Sequence, residues 1–161
     1  MQTSKIYDLL ERAVLSLRLD GITRDDVKRP NVEFCADGKP LFFELYVGDD
    51  APRIDTETSA VSRRVASIVI VGELGEGTER LERIARGIVD IFATYNPRRF
   101  KGFSDIERVF SSSQLNGGGR VAARSNVYVE GVRATAPGIF DGRVKVTVFI
   151  DLEVQTRVLD A

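Results

Sequence analysis

Histidine is absent from the 161 residues. That removes the commonest general base at neutral pH and the commonest zinc ligand. The single cysteine, Cys35, excludes an intramolecular disulfide and reads as an inert thiol in a reducing compartment. No apolar run approaches the length of a membrane-spanning helix. The opening MQTSKIYDLLERAVLSL carries polar residues throughout and lacks a small-residue cleavage site, so it does not read as a secretory signal. Charge of either sign is not in excess. The net value of -1 gives no electrostatic footprint for general nucleic-acid binding and little repulsion between copies. Lysine is scarce beside arginine. Arginine suits bidentate pairs at interfaces, although genomic base composition produces the same bias.

What is present suits one ordinary domain able to bury about two thirds of its unfolded surface. With 43% apolar and 29% charged residues, wholesale disorder is not expected. The strongest pattern is RVKVTVFIDLEVQTR, from Arg143 to Arg157. Val144, Val146, Val148, Ile150, Leu152 and Val154 alternate with Lys145, Thr147, Phe149, Asp151, Glu153 and Gln155. A period of two over that length predicts a long strand with one buried face, central or wall-forming, against which two helices pack.

The first helix is predicted over Ser4 to Leu19, with Ile6, Leu9, Leu10, Ala13, Val14 and Leu17 on one face. Thr3 or Ser4 starts it, Asp8 and Glu11 lie early, Arg18 lies late, and Asp20-Gly21 stops it. Ile22 to Pro40 reads as irregular, with a short edge strand at Asn31 to Phe34. Asp25 and Asp26 lack the spacing of a calcium loop and read as solvated. Leu41 to Val47 alternates as a strand with aromatics on both faces. Gly48 to Ser62, GDDAPRIDTETSAVS, has no steady period and reads as a long loop, either mobile or, the favoured reading, ordered against a partner. Arg63 to Val71 is the next strand, antiparallel to Leu41 to Val47.

GELGEG, Gly72 to Gly77, is neither G-x-G-x-x-G nor a P-loop, and its glutamates would repel a phosphate. It reads as a strand-to-helix turn. The second helix runs from Thr78 to Ala93, capped by Thr78, with a Glu79–Arg83 pair and with Gly87 allowing a close approach. PRRFKGF, Pro97 to Phe103, interleaves arginine and aromatics. Single-stranded nucleic acid, a protein interface and an ordinary loop with Phe100 and Phe103 packed all fit it. Ile106 to Ser113 is a strand whose serines have no histidine or Ser-x-x-Lys lysine to activate them. Gln114 to Ala123 contains three consecutive glycines and reads as a flexible loop reaching a partner or a pore. Arg124 to Thr135 is a strand with a bulge at Gly131, and Ala136 to Gly142 links it to the final strand.

The expected architecture is therefore α+β: a single domain, residues 1–161, with a mostly antiparallel mixed sheet, two helices packed on one face, and long loops. The other sheet face needs a second cover, which self-association or a partner would supply. Acid–base chemistry would have to come from Asp49, Asp50, Asp55, Glu57 and Glu73, which lie among polar neighbours where burial does not shift a carboxylate. The reading is non-enzymatic, without cofactor or metal.

Nearly the whole chain resembles the tail terminator proteins of long-tailed bacteriophages, and the related neck and tail-completion proteins. The resemblance is carried by the opening amphipathic helix, then PLFFELYVGDDAPRI, ASIVIVGELGEG, TERLERIARGIVDIFA with YNPRRF after it, and NVYVEGVRATAPGIFDGRVKVTVFIDLEV. It implies a virion protein, made in the host cytoplasm. A hexameric ring would cap the tail tube, stop its growth and offer a surface to the head-completion or neck protein. DNA would pass through the channel without specific binding. The alternative it implies is a neck or tail-completion adaptor between connector and tail. The long loops would then contact tube or head proteins or face the channel. That makes Asp49, Asp50, Arg53, Asp55 and Glu57 candidate interface or channel residues, together with Arg98, Arg99, Lys101, Asn116, Arg120 and Arg124.

Overall fold

The computed structural model describes residues 3–48, 53–56, 59–94, 104–110 and 120–159, with backbone alone at 53–56, 94, 104–110 and 120–121. The predicted long strand is β8, Arg143–Val158, and its burial alternates strictly from Val144 to Val154. Along one edge it pairs antiparallel with β4, Ser59–Glu73. Along the other it pairs with β6, Arg120–Ala134, and β7, Gly138–Phe140. On the far edge of β4 lie β2, Leu41–Val47, and β3, Arg53–Thr56. The strand β1, Val27–Lys28, lies parallel to β2, and β5, Ser104–Phe110, closes the other side on β6. The lane order is β1-β2-β4-β8-β6-β5, so β8 is central as its pattern predicts. At roughly 3.3 Å per residue, the β4 and β8 strands run about 50 Å.

Two helices close one face, α1 (Thr3–Ser16) and α2 (Glu79–Thr94). The first packs on β2. The second packs on β4, β6 and β8, and the helices touch each other. Rows of the sheet show why. Phe43, Ile70 and Val146 are neighbours across three lanes, as are Leu45, Ile68 and Val148. All six are buried in one cluster with Ile6, Leu10, Leu81, Ile84, Ile88 and Phe92 of the helices. Each such side chain taken from water contributes about 1.5–3 kcal/mol. This is the predicted α+β domain.

Several local expectations are corrected. The first helix ends at Ser16, not Leu19. Leu17 and Arg18 donate to the carbonyls of Val14 and Leu15, a tightened last turn, and Arg18 itself takes φ 52, reversing the chain before Asp20-Gly21. Asp8 and Glu11 therefore sit mid-helix and Arg18 lies beyond it, so none of them serves the helix dipole as expected. The edge strand is Val27–Lys28, not Asn31 to Phe34. The supposed loop Gly48 to Ser62 contains β3 and the start of β4, a hairpin that lengthens the sheet. Residues 120–123 belong to β6, not to a glycine loop, and the link after β6 contains β7. Gly87 does admit a close approach, with Leu17 Cδ2 3.1 Å from where its Cβ would stand. The bulge is confirmed by the register shift in β6 between Val129 and Gly131.

Candidate functional site

The face of the sheet away from the helices is where the structure leaves groups available. Its rows are set by the same registers, shifted by one residue: Phe42, Val71 and Lys145; Tyr46, Ser67, Phe149 and Arg133; Arg63, Glu153 and Tyr128; Arg157 and Arg124. Instead of a helix, cations cover its aromatics. The Arg143 guanidinium lies 5.4 Å from the centroid of Phe42, Arg133 lies 5.0 Å from Phe149, and the Lys145 ammonium lies 5.2 Å from Phe140.

At the end near Phe42, residues 29–40 fold over this face. Phe34 packs on Phe42 at 5.3 Å, and Arg143 donates to the carbonyls of Lys39 and Ala36 at 2.7 and 3.3 Å. Lys39 ties the same segment to Asp26 at 2.7 Å. Asp26, expected to be solvated, is buried. Its carboxylate also accepts from the Thr23 backbone N–H at 2.8 Å, completing a capping box on a short 3-10 turn, Arg24–Asp26. Burial pulls its carboxyl upward, but the Lys39 ammonium and the Thr23 N–H prevail and hold it below the usual range. Nearby, the buried Glu11 of α1 takes Arg24 at 3.1 Å and Arg29, which also reaches Asp8 at 2.9 Å. These pairs fasten the segment 21–40 to α1, so this end of the open face is closed.

Among the described residues, no element covers the rest of the face. Tyr46 and Val65 are 41% and 47% exposed, which for large side chains in mid-sheet marks a missing cover. Burial, then the Glu44 carboxylate that accepts its hydroxyl at 3.0 Å, raises the Tyr46 pKa. A depression of about 460 Å³ opens beside Val65, lined by Gly48, Arg63, Arg64, Glu130, Asp151 and Leu152. Asp151 binds Arg133 at 3.1 Å. Glu130, at the bulge, shares a hydrogen bond with Glu153. That bond, burial and the repulsion between the two carboxylates raise the Glu130 pKa, while Arg63 opposes the rise. Gln155 Nε2 donates to Glu153 at 2.9 Å. Four residues further along β8, Arg157 lies directly across from Arg124, two exposed like charges on one rung with no carboxylate partner among the described residues.

Of the predicted interface or channel residues, Arg124 falls on this face. Arg53 and Asp55 lie in β3, and Arg120 begins β6, each described by backbone alone. Asp49, Asp50, Glu57, Arg98, Arg99, Lys101 and Asn116 lie outside the described residues. The structure adds Arg63, Glu130, Asp151, Glu153 and Arg157. The alternation of β8 places Asp151 and Glu153 opposite its buried face. Opposing Arg124 to Arg157 requires the register that the bulge sets. Among the described residues, no three acidic, cysteine or histidine side chains are grouped to hold a metal ion. No described helix is long and apolar enough to cross a membrane.

No family model matches the chain, and no curated protein matches it. A solved structure that carries no functional name is similar at 19% identity, over 92% of this chain and 94% of that one, with a TM-score of 0.47. A likeness at that level carries no information on activity.

Proposed function

We propose that the chain is a structural subunit of the tail-terminator type. Copies form a ring, hexameric as in the family it resembles, on the head-proximal end of a tail tube. The mechanism is geometric and needs no catalytic group. Bound subunits occupy the surface where the next tube ring would add, which stops growth, and present a different surface to the head-completion or neck protein. DNA passes through the central channel without being gripped, in keeping with a net charge of -1.

The observation that supports this reading best is the one-sided sheet: strands of about 50 Å with helices on one face and, among the described residues, no cover over Tyr46 and Val65 on the other. A surface of that kind suits protein contacts better than a small substrate. The experiment is electron microscopy of the purified protein, alone and with tube protein at micromolar concentration. Annular particles seated on tube ends are expected. A chain that stays monomeric in both conditions would sink the proposal, and binding to a portal or connector in preference to tube ends would replace it with the neck-adaptor reading.

A further inference from the structure

We infer that the bare half of the open face docks a second copy of this chain about a two-fold axis running across the strands at Gln155. Glu153 and Arg157 stand two residues either side of Gln155, on the same face, about 13 Å apart. Turning one copy over another about an axis across the strands at Gln155 places Glu153 against Arg157 of the second copy, and Arg157 against its Glu153. The same operation in the neighbouring lane, centred on Asn126, places Tyr128 against Arg124, an aromatic ring against a guanidinium, again twice. In β4 it centres on the half-buried Val61, which meets its own copy.

Three features of the single chain fit this contact. Arg124 and Arg157 oppose each other on one rung and lack acidic partners among the described residues, a repulsive pair that a facing carboxylate relieves. Glu130 and Glu153 share a hydrogen bond and repel each other, which raises the Glu130 pKa, and an incoming guanidinium offsets that repulsion. The patch is flanked by the exposed Val65, the apolar area such packing would cover. An isologous contact closes at two copies, so it is not the contact that would build a ring, and it does not depend on the ring reading.

The test is sedimentation velocity across about 5 to 200 µM at low and high salt, a range suited to a small, charge-dependent interface. Wild-type chain is expected to form a two-copy species that weakens with salt. Arg157→Glu and Glu153→Arg are each expected to weaken it at least about tenfold, because either leaves two like-charge contacts. The double variant carrying both changes should recover to within about threefold of wild type, because the contact is reciprocal. Arg157→Gln, a milder change, should weaken association without charge reversal, and thermal melts of every variant check that the fold is intact. Several results would overturn the inference: a wild-type chain with no two-copy species, single variants that associate as wild type does, or a folded double variant no better than the singles. So would Arg124 and Arg157 proving to bind a polyanion such as single-stranded DNA while self-association ignores them. Rings from a wild-type chain that shows no two-copy species would remove this contact and leave the ring reading standing. A two-copy species without rings would do the reverse.

Discussion

One sheet carries two unlike faces. On the helix side, Phe43, Leu45, Ile68, Ile70 and Ile150 are fully buried, and helices supply the cover. On the other side, Phe42 of β2, Phe149 of β8 and Phe140 of β7 have Arg143, Arg133 and Lys145 against their rings instead. A helix makes its cover permanent, because removing it unfolds the protein. A long cationic side chain makes a removable one, since its stem packs on the ring while its head stays in water and can turn towards an incoming carboxylate. The difference separates what holds the fold from what is free to meet another molecule.

Phe43→Ala attacks the permanent face and should cost about 3–5 kcal/mol in urea unfolding. Gly72→Ala is next. A Cβ there would stand 3.0 Å from both Leu81 methyls, so the Leu81 side chain must give by a few tenths of an ångström against β4, at about 1 kcal/mol by the same measurement. On the open face, Phe149→Ala should cost only about 1 kcal/mol, since it loses a partly buried ring and one cation contact. If it matches Phe43→Ala, the two faces are energetically alike and the contrast fails.

The smallest effect is one of pH. Glu130 holds its proton more readily in the fold, so its contribution is complete below its ordinary value of 4.5 and is lost as pH rises through the raised folded value. Glu130→Gln should therefore raise stability near neutral pH relative to acid, when melts at the two are compared. Asp26 acts in the opposite sense. Its carboxyl is held low, so its contribution is present above 3.8 and is lost as pH falls through the lowered folded value. Asp26→Asn should flatten the acid limb of the stability curve and leave the neutral region weaker.

The permanent face was the legible one. Strict alternation gave β8 and β2 to within a residue, and the helical stripe gave α2, because burial on one side imposes a period on the chain. The open face has no such imposed period. GDDAPRIDTETSAVS shows no alternation, yet it holds β3 and the first residues of β4. Three residues of β7 are too few for any pattern. Asp26 looked solvated because its partner, Lys39, lies thirteen positions away across an irregular segment. Arg124 could be proposed from its place beside a glycine-rich stretch. Its opposition to Arg157, and the acidic group at Glu130 and Glu153, depend on cross-strand register and were out of reach of sequence spacing.

The central ladder also governs the order in which the molecule can form. Glu73 meets Arg143 and Ser59 meets Arg157, so every rung joins stretches at least about 70 positions apart, and few local contacts reward the search. During synthesis β4 emerges long before its partner exists, with Ile68 to Val71 exposed as an unpaired apolar strand. The earlier pairing of β4 with β2 and β3 shields one edge of it in the meantime. Folding should therefore be slow and late-closing, with the final sixteen-residue strand acting as the closing step that commits the chain.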